Sequence, residues 1–420
     1  VTVTTQLPDS LPVGFDPTDP GLIEERIPHE EFRAMRQGSP VHWVAQPQEA
    51  RAGFRGAEGY WALTKHEDIA AVSKNSKSFS TAKQGAIIRF APDMTPEQID
   101  LQGVMLINQD PPDHTKLRQV ISRGFTPRAI AALHDALEER ARRIVADAAA
   151  KGSGNFVEDI AAELPLQAIA ELMGVPQEDR GKLFDWSNQM LSYDDPEIEG
   201  DAEAASIEIL MYAAGLADER RRNPKDDIVT KLITADVNGH ALTDDEFGFF
   251  VILLAVAGNE TTRNAITHGM DAFFDNPDQW ELFKATRPAS AVDEIVRWAT
   301  PVTVFQRVAL EDVTLNGVDV KEGDRVGLFY ASGNFDEDVF EDPYRFDVSR
   351  EDNPHLGFGG HGAHYCIGAN LARLEIELIF NEIADQVPDI ARAGAPRRLR
   401  SAWINGIKEL QVTYSPTVDS

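Results

Sequence analysis

The feature that most constrains this chain begins at Thr243. Thr243 and Glu246 form a capping-box pattern, in which a hydroxyl and a carboxylate three residues apart satisfy free backbone N–H groups at a helix start. No proline follows until "FFDNP" (273–277). The pattern predicts a helix of about thirty residues, roughly 45 Å at 1.5 Å per residue. Its first half, "FGFFVILLAVAG" (247–258), is apolar almost all round but too short to span a bilayer. Such a helix must cross the interior of a fold and be covered by others.

The rest of the chain supplies the cover. Residues 110 to 300 carry mostly helical patterns. Asp113 can cap a helix after Pro111 and Pro112, with Gly124 closing it. Thr126 caps the next, with Pro127 in its first turn and a stop at "KGSG" (151–154). "VHWVA" (41–45) and "YWALTKH" (60–66) read as paired strands. So do "VTVFQRVAL" (302–310), "VTLNGVDV" (313–320) with its Asn-Gly turn, and "RVGLFYAS" (325–332). A last helix covers "IGANLARLEIELIFNEIADQ" (367–386). The expected fold is mainly α with a small β part. No repeat or low-complexity linker divides it, so 1–420 reads as one domain with flexible tails at 1–14 and 415–420.

Charge narrows the partners. With 40 basic against 69 acidic residues the net charge is −29, which argues against nucleic acid or an anionic membrane as the main partner. The N-terminal "VTVTTQLPDSLPVG" has neither part of a signal peptide. A single cysteine excludes an internal disulfide and fits a cytoplasmic location.

That cysteine, Cys366, lies in "HLGFGGHGAHYCIGANLAR" (355–373). A free cysteine is most often a small buried hydrophobe. Here Gly357, Gly359, Gly360, Gly362 and Gly368 surround it at the start of a helix, where free N–H groups favour a thiolate. A thiol nucleophile would need a positioned base, and His364, two residues away, seldom aligns for that. A zinc site would need three or four ligands, which His355, His361, His364 and Cys366 could only improvise. One thiolate on a haem iron fits better.

The stretch resembles the cysteine loop of the cytochrome P450 monooxygenases. Gly362, His364, Cys366 and Gly368 match that family's pattern, while Phe358 stands one residue farther from the cysteine than the family's phenylalanine. The resemblance implies the cytochrome P450 fold, with the long helix over haem b and Cys366 as the iron ligand. Phe358 and Gly359 would belong to the cofactor loop. "AGNETT" (257–262) would place Ala257 and Gly258 along a groove for dioxygen, with Thr261 and Glu260 as the hydroxyl and acid that handle protons. Read without the family, the same residues are a helix crowded with small side chains. His114, Arg118, Arg307 and His364 would bind the haem propionates. For His114 and Arg118, in "DHTKLR", the plain alternative is a solvated helix face. Glu294 and Arg297 of "EIVR", with Arg345 of "DPYRF", would form a structural Glu-Arg-Arg network.

Four segments narrow the subgroup: "LAVAGNETTRNAITHGM", "DEIVRWATPVTVFQR", "NFDEDVFEDPYRFDVSR" and "GGHGAHYCIGANLAR". They resemble the actinobacterial steroid side-chain monooxygenases, where the extra loop residue also occurs. That implies oxidation of the terminal methyl (C26, also numbered C27) of cholesterol or cholest-4-en-3-one. A sterol would need an apolar channel, for which Ile88 and Phe90 in "AIIRFAPDM" (86–94), Val256, Val302, Phe305 and Trp403 are candidates; each could equally be core. Branched fatty acids, alkanes and terpenoids are alternative substrates, and a haem sensor without turnover is the alternative outside catalysis. Intact Glu260 and Thr261 argue against a sensor. No flavin or iron–sulfur segment is present, so electrons would come from a ferredoxin and its reductase. Lys116, Arg118, Arg123 and Arg128 could dock an acidic ferredoxin, or simply be solvated.

Overall fold

The long helix spans Asp244–Asp275 in the computed structural model, which describes residues 11–52, 58–92, 94–191, 193–198, 200–225, 227–235 and 242–415. Both halves of the capping box form. Thr243 Oγ1 accepts from the Glu246 amide at 3.1 Å, and the Glu246 carboxylate accepts from the Thr243 amide at 2.8 Å. Pro277 then opens the next helix, Pro277–Thr286. Each face of the long helix meets a different neighbour: Glu163–Met173, Arg180–Leu191, Ala202–Arg222, Ala291–Ala299 and Ala369–Gln386. That is why Phe247, Val251, Ile266, Met270 and Phe273 can all be buried at once. Each contributes about 1.5–3 kcal/mol of burial.

The β part is one five-stranded sheet with small satellites. Its order is Val41–Ala45, Gly59–Leu63, Arg325–Phe329, Val304–Ala309, Phe79–Ser80. Only the pairing of Gly59–Leu63 with Arg325–Phe329 is parallel, and it ties the first sixty residues to the last hundred. The Asn-Gly turn forms between Val313–Leu315 and Val318–Val320, with Asn316 and Gly317 at φ 46° and 79°. The fold is mainly α with a small β part, as the patterns predict.

Three local expectations change. Asp113 is the first residue of the helix Asp113–Ile121 rather than its cap, and its carboxylate pairs with Lys116 at 2.8 Å. Thr126 does cap its helix, but that helix stops at Ala131 and a second one, His134–Ala149, continues toward "KGSG". The expected tails fall largely outside the described residues, at 1–10 and 416–420, while Leu11 is buried in the core. Among the described residues no helix is long and apolar enough to cross a membrane.

Candidate active site

The cysteine loop is braced from below by one carboxylate. Glu294, fully buried on the helix Ala291–Ala299, accepts from Arg297 Nε and Nη2, both at 2.8 Å, and from the Asp347 amide at 2.8 Å. Arg350 Nε and Asn353 Nδ2 complete its shell at 3.1 Å each. Arg345 was the expected third member, and the structure replaces it with Arg350. The Arg345 side chain is exposed, and only its carbonyl joins the network, accepting from Arg297 and Arg350. The turn through Pro343 and Tyr344 sends that side chain to solvent; five residues later the chain returns under Glu294. The adjacent Asp293 holds the loop's other side through His355 at 3.1 Å and Arg373 at 2.8 Å.

Within the loop, the Cys366 amide donates to the Phe358 carbonyl at 2.9 Å. The Phe358 ring lies 4.5 Å from the Arg373 guanidinium carbon. Gly359 and Gly362 take φ of 94° and 119°, and a Cβ on Gly362 would fall 2.4 Å from the Ser73 carbonyl. Several of these glycines therefore let the loop press on protein. Gly368 differs: its Cβ would meet Cys366 Sγ at 3.9 Å. Cys366 keeps exposed surface, yet desolvation by the protein around it pushes its thiol up, opposed by the Gly368 N–H, then Arg118, Arg373 and the Ala369 N–H, all of which favour the thiolate. Among the described residues no three His, Cys, Asp or Glu side chains are grouped as metal ligands. His364 is no base for the thiol, since burial and then Arg307 push it down to about 2 and its Nε2 lies 3.0 Å from Thr81 Oγ1.

Next to the loop lies a cluster of buried and half-buried basic side chains. The His114 and His364 rings are 4.3 Å apart. Burial, then Arg118, pushes His114 down to about 4, and burial also lowers Arg118 and Arg307. Asp110 acts on His114 and Arg307, but its oxygens already accept from Ser80 and Thr81. Arg118 reaches the Tyr365 carbonyl at 2.6 Å, and Arg307 the Gln306 carbonyl at 2.6 Å. His114 Nε2 is buried with no partner. Donors of this kind, beside one soft ligand, fit a group carrying an iron and two carboxylates.

On the long helix, Ala257 keeps exposed surface between buried turns, and Thr261 Oγ1 donates to its carbonyl at 2.6 Å. Gly258 instead faces the helix Glu163–Met173, where a Cβ would meet Ile169 Cδ1 at 3.0 Å. Glu260 is buried, ion-paired to Arg263 and bonded by Asn264 Nδ2 at 2.9 Å, both through Oε1. Its Oε2 has no partner.

The comparisons with known proteins agree with this geometry. A family model described as Cytochrome P450 matches residues 289–384. A steroid C26-monooxygenase of Rhodococcus jostii is 62% identical, over 96% of this chain and 86% of its own length. The chain is a cytochrome P450. A methyl-branched lipid omega-hydroxylase of Mycobacterium tuberculosis is 41% identical, over 94% of this chain and 92% of its own. The solved structure of a Mycobacterium marinum cytochrome P450 in complex with pseudoionone superposes with a TM-score of 0.89 at 36% identity, covering 95% of this chain and 98% of that one.

In this P450 the expected substrate residues divide. Ile88, Trp403, Val256, Val302 and Phe305 belong to one apolar cluster, with the Phe305 and Trp403 rings 5.9 Å apart. Phe90 does not join them; it packs with Ala52 and Ile99 in a separate cluster and under the Arg325 guanidinium. Leu191 and Ile198 share the first cluster and were missed, because the chain after Leu191 leaves its helix and carries no period. The basic run also divides. Arg118 turns inward, leaving Lys116, Arg123 and Arg128 exposed.

Proposed function

We propose that this monooxygenase oxidises the terminal methyl of a sterol side chain, at the position numbered C26 or C27. The supporting observation is the 62% identity to a steroid C26-monooxygenase across nearly the whole chain. The 41% relative, an omega-hydroxylase of methyl-branched lipids, also acts at a chain end. What the two names share is the terminal position; what differs is the body behind it. An apolar wall of Ile88, Val256, Val302, Phe305 and Trp403 suits a fused-ring hydrocarbon with few polar handles.

Cys366 would hold the iron of haem b, with His114, Arg118, Arg307 and His364 on its propionates. The haem, when bound, supplies activation of O2 and insertion of one oxygen atom into a C–H bond. The chain's own residues do the rest. The Gly368 and Ala369 N–H groups favour negative charge on Sγ, against the burial that pushes the thiol up. Glu260 Oε2, the free oxygen of a clamped carboxyl, is where a proton would be held, and Thr261 Oγ1 is the hydroxyl that would pass it on. Val256, half-buried between two apolar clusters, excludes water and narrows the approach so that a chain end reaches the centre before a secondary carbon.

Electrons would come from a ferredoxin and its reductase, with Lys116, Arg123 and Arg128 as the docking charges. Titration with cholest-4-en-3-one tests the substrate: it should convert the ferric haem to high spin, and turnover should yield a terminal alcohol. A spin shift with branched fatty acids and none with the sterol would replace the sterol by a lipid chain.

A further inference from the structure

The wall of the apolar cluster carries one polar side chain that the proposed chemistry leaves without a task. Tyr193 follows the helix Arg180–Leu191, between Leu191 and Ile198, which both belong to the cluster. Its loop is fastened to the segment bearing Trp403: Asp194 Oδ2 accepts from the Ala402 amide at 3.1 Å, and Asp195 from the Arg400 amide at 3.2 Å. The Trp403 indole Nε1–H donates to the Tyr193 hydroxyl at 3.1 Å. The hydroxyl in turn donates to the Arg89 carbonyl, beside Ile88, in a long hydrogen bond of 3.4 Å. Three segments of the wall therefore meet at one oxygen.

The geometry leaves that oxygen's proton under-used. An O–H donor ordinarily sits about 2.5–3.0 Å from its acceptor, and 3.4 Å is long. The indole N–H occupies the acceptor side of the hydroxyl, so what it can offer a ligand is its proton. Tyr193 keeps part of its surface exposed although protein surrounds its phenol, whose pKa burial raises. Its hydrogen-bond donor, Trp403, belongs to the apolar cluster with Val256 and Phe305.

We propose that the Tyr193 hydroxyl donates a hydrogen bond to a ketone oxygen carried on the body of the lipid substrate, and so favours oxidised sterols over plain hydrocarbons. The inference rests on the sterol reading above. A neutral hydrogen bond of this kind is worth about a fivefold to tenfold change in affinity.

The test is a spin-state titration of the haem-loaded protein with two ligands, cholest-4-en-3-one and cholest-4-ene, which lacks the ketone. Tyr193→Phe keeps the ring and removes one oxygen. The ketone's Kd should rise about fivefold to tenfold while that of the alkene stays put. Equal weakening of both would make Tyr193 a mere strap between segments, and an unchanged ketone Kd would make it bystander packing; either overturns the inference. The carbon monoxide band reports whether the variant has folded around its haem. Should Tyr193→Phe lack that band, Trp403→Phe, which frees the hydroxyl to rotate, should narrow the ketone's preference over the alkene. Silence of the unaltered protein toward both sterols would overturn the sterol reading first and this inference with it.

Discussion

Arg350 Nε donates to Glu294 Oε2 at 3.1 Å, on the carboxylate that Arg297 grips with two nitrogens at 2.8 Å. One acid thus joins the helix Ala291–Ala299 to the strand-free approach to the cysteine. Removing Arg297 would leave Glu294 buried and short of its main counter-charge, at about 3–5 kcal/mol. Arg350→Ala removes the charged hydrogen bond to Glu294, about 1.5–3 kcal/mol, together with bonds to the Glu341, Asp342 and Arg345 carbonyls, and Arg345→Ala should stay within about 0.5 kcal/mol. Urea midpoints of the three variants give the order directly, and equal losses for Arg345 and Arg350 would refute it.

Replacing Cys366 by Ser or His tests the ligand itself. The strongly red-shifted absorption of the reduced carbon monoxide complex should disappear in both. Haem retained with that band intact would mean that sulfur is not the ligand.

Much of this site can be read in the chain because it is local. The capping box of Thr243 and Glu246, the Asn-Gly turn and the glycines around Cys366 act within a few residues of themselves. Arg350 is different. It lies 56 positions from Glu294, and the choice between it and Arg345 depends on how one loop turns. Gly258 shows the same limit: a small residue in a buried helix signals close approach, yet the approaching group is Ile169 of another helix. Tyr193 lacks any periodic signal, because its segment is placed by hydrogen bonds to residues two hundred positions on. Short-range chemistry is written in the sequence, whereas long-range partners are chosen by packing.

Thr261→Ala should go on consuming reductant while diverting it to hydrogen peroxide, so that product per electron falls several-fold. Glu260→Gln should slow turnover on the order of 10²-fold, since an amide cannot deliver a proton. The structure adds that Arg263 and Asn264 hold Glu260 by its Oε1. Unchanged coupling in both variants would leave the pair as packing only.

His268 provides a pH signature away from the site. It is buried, lies 3.0 Å from the Asn405 carbonyl, and is pushed down to about 3 by burial and then by Arg398. In the unfolded chain it titrates near its ordinary value of about 6.5. As pH falls below that value the unfolded state binds a proton that the folded state refuses, so stability drops until the folded pKa is reached. At pH 5 the loss from this residue is about 2 kcal/mol. His268→Gln should flatten the fall in denaturant midpoint between pH 7 and pH 5. An identical slope would show that His268 is free to protonate in the fold.

Val256 stands one turn before Glu260, half-buried, and packs against both the main helical core and the cluster of Ile88, Phe305 and Trp403. In the proposed reading it meets a substrate's tail, away from the cysteine loop. Val256→Phe adds bulk where the proposed reading brings the chain end, at roughly 1–3 kcal/mol of overpacking. The sterol-induced spin shift should weaken accordingly, and the oxidation that remains should move from the terminal methyl to more accessible carbons. The carbon monoxide band should stay, because nothing near Cys366 has changed. A variant that binds the sterol as before would place the tail along another path, and the narrowing role would pass to a different part of the wall.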